Sequence, residues 1–542
     1  MLGVLALTFR FLLAGIALIV LKKLVDHVRS PLRQFDGPFL AKFTDLWRLL
    51  DIKTTRRCDI THNNLHKQYG PAVRMGPNCI SLADPGLIKV VYTGRPRWKK
   101  STMCTYPSLS PNKPPLTAPD NVNDALGPDG KTRITNLNSE TNESAHDKTV
   151  APIRSMYTMS NVKSFEPLID PVITRLCAAL ESRFIDGANA GTSFDAADWM
   201  NYAAWDIMSE ITFGKPFGFI DQGKDVGGFL ATSQRGLDYF AVICQMPWLD
   251  LVLDKNPVKR IGAPSFSWAV EFSVGALVER YQQMAADGEK KVEEKPVKDF
   301  LDKFLEAKAK AEPGTIDDMQ VVNFLLVNVL AGSDTTAITL GAAVYYLLKN
   351  PAVLKKLVRE LDERELSTPV SWTETLELPY LNAVMQETMR IHGGVGLMLE
   401  REVPAGGFSL PDGRFVPGGT VVGMNPWVVH MNEEYFGPNT EKFVPERWMR
   451  RSEETTEQFE AREKKMKEAT LTFGHGSRIC LGRNLSRLEA NKVIATLSKN
   501  YEWSLVQPEK DWKIRNSWFT YQSGINVTVK KRGQKAECDV AC

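Results

Sequence analysis

Phe473-Gly474-His475-Gly476-Ser477-Arg478-Ile479-Cys480-Leu481-Gly482 decides how this chain is read. Glycines at 474, 476 and 482 bracket a single cysteine, a composition that lets backbone turn sharply and approach a flat partner closely. Leu481, Leu485 and Leu488 recur at i, i+4 and i+7, so the spacing predicts an amphipathic helix starting just after Cys480. The free N–H groups and the dipole at such a helix start favour a thiolate. No second cysteine or histidine stands nearby at zinc spacing, which argues against a four-ligand zinc site. Two readings stay open from the residues alone. One is a thiolate against a flat face, suited to axial ligation of haem iron; the other is a buried structural cysteine in a glycine-rich loop.

The pattern Phe-x-x-Gly-x-Arg-x-Cys-x-Gly is matched at Phe473, Gly476, Arg478, Cys480 and Gly482, and it resembles the haem-binding loop of the cytochrome P450 superfamily. The resemblance implies that Cys480 is the proximal ligand of haem b iron, that Arg478 reaches a propionate, and that Phe473 packs beside the sulfur. It also implies that Gly476 and the other loop glycines let N–H groups point at the sulfur, which tunes the iron's potential.

Working outward, Ala331-Gly332-Ser333-Asp334-Thr335-Thr336 lies inside an apolar run from Val321 to Leu348. Hydropathy alone reads that run as a membrane span, but an acid and three hydroxyls at its middle, with Asn323 and Asn328, favour a buried soluble helix. Thr315 with Asp318 three residues on predicts its cap, and Asn350-Pro351 its end. The motif resembles the oxygen-activation segment of the same family. There Gly332 weakens the helix, a following threonine diverts a carbonyl, Thr335 faces the iron, and Thr335 with Asp334 manages the protons of dioxygen cleavage. The plain alternative is a helix kink with a solvated Asp334.

Glu387-Thr388-Met389-Arg390 places acid and base three apart on one helix face, and Phe443-Val444-Pro445-Glu446-Arg447-Trp448 follows. The order of these motifs and the haem loop matches the family, which implies a buried structural network of Glu387, Arg390 and Arg447. By the same resemblance Arg401 makes another propionate contact. His146 stands where relatives place a Trp or His with an Arg four residues on; here residue 150 is Val, leaving His146 as a cofactor donor with Lys148 as nearby charge, or as a solvated surface histidine.

At 542 residues the chain shows no internal repeat and no linker between halves of differing composition, so one large folded unit accounts for it. Lys+Arg 67 against Asp+Glu 64 gives a net charge of +3, too balanced to imply nucleic acid as a partner. The eight cysteines follow no disulfide spacing. Leu2 to Leu21 is apolar apart from Thr8 and Arg10, close to the length of a spanning helix, with no cleavage site before Lys22. Lys22, Lys23, Arg29 and Arg33 follow it, which predicts an uncleaved anchor with the body on the cytosolic side.

Ala72 to Met75 and Cys79 to Leu82 around Gly76-Pro77-Asn78 predict a β-hairpin, and Pro411-Asp412-Gly413-Arg414 a second hairpin tip. Tyr106 to Lys131 reads as a long surface loop and, by resemblance, a wall of the substrate pocket together with Gly393 to Leu399. Gly288 to Pro313, rich in mixed charge, reads as solvated helix and loop. Arg462, Lys464, Lys465, Lys467, Arg483 and Arg487 gather basic charge around the loop, a docking face for an acidic reductase or an ordinary solvated cluster.

The expectation is a mainly α protein with a smaller β part, a single large cytochrome P450 fold behind an N-terminal membrane anchor. Its parts are an anchor at 1–23, a basic linker at 24–36, a catalytic domain at 37–531 and a tail at 532–542. The resemblance, closest in character to fungal microsomal members of the benzoate-hydroxylase and pisatin-demethylase type, implies a haem-thiolate monooxygenase of a small hydrophobic substrate in fungal secondary metabolism. It would be a single-pass protein of the endoplasmic reticulum membrane, fed by an NADPH-dependent cytochrome reductase with cytochrome b5 as a further donor. The rivals are a reductase-independent haem-thiolate isomerase or dehydratase, which the Asp334-Thr335 pair argues against, and a non-catalytic haem-binding membrane protein.

Overall fold

The computed structural model describes residues 2–101, 125–126, 133–134, 137–138, 140–186, 189–253, 261, 267–287, 297–312 and 315–533. In chain order, the elements that position the site are α1 (Leu2–Arg29), the hairpin strands β1 (Ala72–Gly76) and β2 (Cys79–Leu82), α2 (Glu143–Val150), α3 (Ala196–Phe213), α4 (Phe229–Ile243) and α5 (Asp318–Lys349). They are followed by α6 (Pro379–Ile391), β3 (Leu399–Glu402), β4 (Val421–Met424), α7 (Arg483–Asn500), β5 (Lys513–Asn516) and β6 (Thr520–Ser523).

The 32-residue α5 is the spine. At 1.5 Å per residue it runs about 48 Å. Asp317, not Thr315, caps it, accepting a hydrogen bond from the Gln320 amide, and Asn350 with Pro351 ends it as expected. Its length and composition would let it cross a membrane, yet most of its apolar stretch is buried by protein. An all-round apolar helix surrounded by other helices is a core helix. It packs along α3, which is buried on nearly every face through Trp199, Met200, Ala204, Trp205, Ile207, Met208 and Ile211. The two approach closely at Gly332, where a Cβ would fall 2.6 Å from the Met208 terminal methyl, so this glycine serves helix packing. The helix runs through it without a break.

The four-stranded sheet has the order β1-β2-β4-β3, with β2 parallel to β4 and the other pairs antiparallel; Cys79 lies opposite Val421 and Leu399 opposite Met424. Both predicted hairpins form, the second pairing Phe408–Ser409 with Phe415–Val416. β5 and β6 make a hairpin that returns to α5.

Two expectations need correction, and a third lies outside the described residues. The helix begun at Leu2 passes through Lys22 and Lys23 to Arg29, so the first part of the stretch read as a linker at 24–36 is helical; Lys22 and Asp26 pair at i, i+4. The remainder is docked rather than loose, with Leu32 and Phe35 buried against the sheet and Arg74 reaching back toward His27 and Ser30. The charge-rich stretch from 288 to 313 lies partly outside the described residues, and its described part forms a helix, Phe300–Lys310, capped reciprocally by Asp299 and Asp302. That helix buries Phe300, Leu301, Phe304 and Leu305, because its apolar residues fall on one face. The loop from Tyr106 to Lys131, read as a pocket wall, lies outside the described residues apart from the short strand Ala125–Leu126.

Candidate active site around Cys480

The loop around Cys480 is shaped by two glycines with left-handed backbone, Gly474 at φ +66° and Gly476 at φ +72°. A Cβ on Gly476 would lie 1.8 Å from the Tyr92 carbonyl oxygen, so only glycine lets the loop seat there. The Cys480 amide donates to the Phe473 carbonyl at 2.8 Å and closes the turn. α7 begins three residues after Cys480, as the leucine spacing predicts, and the amides of Gly482 and Arg483 at its start point at the sulfur. Cys480 is ringed by protein atoms and its surface is nonetheless accessible, so it borders a space rather than packed core. Burial pushes the thiol up, and the two amides with the Arg483 charge pull it back only in part. The helix-start effect expected from sequence is therefore present and outweighed by desolvation.

On α5, Ala331 is exposed and Thr335 half-buried although Ser333, Asp334 and Thr336 are buried. Thr335 Oγ1 donates to the Ala331 carbonyl at 2.8 Å, the carbonyl diversion expected of this motif. Gly394 approaches the Thr335 side chain, and Val395 beside it pairs with Phe519. Asp334 is fully buried, which overturns the solvated alternative. It accepts from Trp205 Nε1 at 2.9 Å, Tyr521 Oη at 2.7 Å and Ser233 Oγ at 3.2 Å. Burial raises its proton affinity and these donors lower it.

Glu387, Arg390 and Arg447 do meet. Both guanidiniums are buried with the carboxylate: Arg390 donates to it twice at 2.8 Å and Arg447 Nε at 2.9 Å. Trp448 Nε1 and the Val444 amide complete five donors to one carboxylate, and Arg390 also holds the His430 carbonyl. Removing one partner would strand buried charge at a cost of about 3–5 kcal/mol.

Arg478 pairs with Glu143 of α2, its Nε donating at 2.9 Å. His146, one turn on, is buried rather than solvated; desolvation first, then the Arg478 charge, pushes its pKa down to about 4, and its Nδ1 has no hydrogen-bond partner among the described residues. Arg401 on β3 is buried, donates to the Glu400 carbonyl at 2.8 Å and lies 4.9 Å over the Tyr92 ring, whose backbone receives Gly476.

A family model described as Cytochrome P450 matches residues 44–529. The chain belongs to the cytochrome P450 family. It is 36% identical over 516 residues to "Cytochrome P450 monooxygenase cfoH" of Aspergillus candidus, covering 95% of this chain and 91% of that one. It is 35% identical over 520 residues to "Cytochrome P450 monooxygenase cicH" of Emericella nidulans, covering 95% and 97%. "Cytochrome P450 monooxygenase mfmA" of Annulohypoxylon moriforme is 35% identical over 508 residues, 92% of each chain. This P450 is accordingly a monooxygenase whose cofactor is haem b.

The residues present fit that group. An accessible sulfur faced by two amides suits a soft metal bond, and a buried imidazole nitrogen without a partner among the described residues, with the Arg478 guanidinium close to it and Arg401 over the Tyr92 ring against which Gly476 packs, suits the anionic edge of a macrocycle. Around the loop, much of the basic cluster is matched by the P450's own acids: Arg462 with Glu454, Lys465 with Glu434 and Lys467 with Glu463, while Arg487 covers the Phe473 ring.

Sequence reasoning missed Trp205, Ser233 and Tyr521, which come from elements 101 to 187 residues away from Asp334 and leave no local signal. It also missed Glu489 on α7, fully buried with neither carboxyl oxygen hydrogen-bonded among the described residues. Burial pushes its pKa from 4.5 up to about 8, with the Thr336 hydroxyl working the other way. The folded protein then keeps this proton to about pH 8 while the unfolded chain loses it near pH 4.5, so its share of stability is full below pH 4.5 and falls as pH rises through that window. The slope is about 1.4 kcal/mol per pH unit. Glu489→Gln is expected to flatten it, and thermal unfolding of the haem-loaded protein between pH 5 and 8, on the order of three units, would show this as a variant that gains on wild type with rising pH.

Proposed function

We propose that this chain is a single-pass monooxygenase of the endoplasmic reticulum membrane that inserts one oxygen atom into a small hydrophobic substrate of fungal secondary metabolism. Electrons come from an NADPH-dependent cytochrome reductase, with cytochrome b5 as a further donor. The observation that carries the reading is the accessibility of Ala331 and Thr335 midway along α5, next to the buried Ser333, Asp334 and Thr336, so that a buried carboxyl lies immediately beside an accessible hydroxyl.

Bound haem supplies the one-electron and dioxygen chemistry. Cys480 would hold its iron, the amides of Gly482 and Arg483 damping the sulfur's charge, with Phe473 and Gly476 shaping the loop. Arg478, Arg401 and His146 would meet its propionates. Thr335 would hold a water at Oγ1 and pass it a proton, and Asp334 would resupply that proton. Glu387, Arg390 and Arg447 would brace the region as a structural network. Ile338, Val395, Phe519 and Trp518 with Leu237 give an apolar wall near Thr335, which supports a hydrophobic substrate. The basic face around Arg483 and Lys464 would receive the reductase.

The anchor is assigned to residues 1–23, ahead of the catalytic domain at 37–531 and a tail at 532–542. In support, α1 exposes Leu7, Phe9, Phe11, Leu18, Ile19 and Leu21, an apolar surface that a lipid bilayer would cover. Deleting Met1 to Lys23 is expected to release the protein at least partly from microsomes with haem retained; a truncated protein that stayed fully bound through salt and carbonate washes would contradict this assignment.

The test of the reaction is incorporation of labelled oxygen from O2 into product in vesicles with and without the reductase. Label in product only with reductase and NADPH is expected. Turnover without either would move the reading to the isomerase or dehydratase class.

A further inference from the structure

Asp334 is held in an unusual way for a group that must exchange protons. Trp205 from α3, Ser233 from α4 and Tyr521 from β6 all donate to it, and all three are buried. These donors are not equivalent. Indole N–H can only donate, so Oδ1, which receives Trp205 Nε1, stays an acceptor in either charge state. Oδ2 receives the hydroxyls of Tyr521 and Ser233, and a hydroxyl can turn from donor to acceptor. A proton on Asp334 therefore belongs on Oδ2.

Tyr521 is itself fixed. It lies opposite Arg515 in the β5–β6 hairpin, whose guanidinium sits 4.9 Å from its ring centroid and is bound by Asp238 and, at 2.7 Å, by Gln234, both from α4. Arg56 donates to the same Asp238 at 3.0 Å. Thus α4 reaches Asp334 by two arms, directly through Ser233 and indirectly through Arg515 and Tyr521. The same helix contributes Leu237 to the apolar wall beside Val395 and Phe519. We propose that Tyr521, with Trp205 and Ser233, is a positioning residue for oxygen activation, fixing the Asp334 carboxyl and confining its exchangeable proton to Oδ2. This rests on the reading of Asp334 as the proton-supplying acid.

Among the described residues, the charged and titratable groups facing Asp334 from the packed elements are Tyr521 and Arg515, with Asp238 of α4 behind Arg515, while α3 and α4 themselves donate to it through Trp205 and Ser233. Losing the Tyr521 donor removes a group that favours the carboxylate, so the acid should hold its proton to higher pH. Two readouts follow in the haem-loaded Tyr521→Phe variant. The carboxyl infrared band that disappears in Asp334→Asn should titrate with a higher midpoint than in wild type. Product formed per NADPH consumed should fall about tenfold or more, as expected for one hydrogen bond to a charged group, while the spin-shift Kd for substrate changes by less than about twofold. In an Asp334→Asn background the same substitution should have no further effect on coupling.

Ser233→Ala provides a second route should Tyr521→Phe fold poorly, with a smaller midpoint shift in the same direction. An unmoved infrared midpoint, or an equal loss of coupling with and without Asp334, overturns the proposal. If Asp334→Asn itself leaves coupling intact, the acid's role in the reaction fails, and the infrared titration still decides the positioning claim separately.

Discussion

Replacing Cys480 by alanine is expected to abolish thiolate-bound haem and all turnover, the largest effect of any single change in the chain. The argument is geometric. Two amides at the start of α7 and the Phe473 carbonyl fix one accessible sulfur at the end of a loop that glycine alone can make. Alanine leaves those amides with nothing to face. Ser477, His475 and Arg478 are the other polar side chains of the loop, and none is a soft anion. Cys480→His is the informative companion: it should retain some haem through nitrogen ligation and lose the thiolate spectrum. The turn should survive both changes, because Gly474, Gly476 and the Cys480 amide bond to Phe473 involve no sulfur.

Thr335→Ala is expected to leave the fold and substrate binding nearly unchanged and to separate electron flow from product. Among the described residues its hydroxyl bonds only to the Ala331 carbonyl four residues back, so alanine removes a local hydrogen bond from one turn of a 32-residue helix that Asp317 caps and core packing holds. What is lost is an accessible hydroxyl next to the buried Asp334. General acid help is worth about 10²–10⁴-fold, so NADPH should still be consumed while product per NADPH falls by about tenfold or more and hydrogen peroxide accounts for the difference. An enzyme that rearranges a peroxide would barely notice the change. An unchanged ratio of product to NADPH would remove Thr335 from this role.

What the sequence made legible is what neighbouring residues determine. Gly474, Gly476 and Gly482 around Cys480 specify a turn, the leucines after it a helix, and Glu387 with Arg390 a pair on one helix face, since each depends on fewer than about ten residues of chain. The opposing effect of burial on Cys480 was not legible, because desolvation is set by everything packed around a group and not by its own loop. The same holds for Asp334. Its place in an apolar helix was plain, yet whether it is solvated or clamped depends on Trp205, Ser233 and Tyr521, three elements that only the tertiary fold brings together.

Glu489 shows the limit most clearly. On α7 it reads as an ordinary acid among leucines and alanines, while in the structure it is fully buried beside Thr336 of α5, and that burial raises its proton affinity. At the N-terminus the helix outruns the apolar stretch read as a span: good helix formers and the Lys22–Asp26 pair carry it past Lys22 and Lys23 to Ser30-Pro31.

The most direct test of the account is the absorption spectrum of the full-length protein, reduced and bound to carbon monoxide, recorded beside that of Cys480→Ala. The account predicts a band near about 450 nm in the wild type and none in the variant. A haem-loaded wild type without that band, or a Cys480→Ala protein that keeps it, would contradict the assignment of Cys480 as the thiolate ligand.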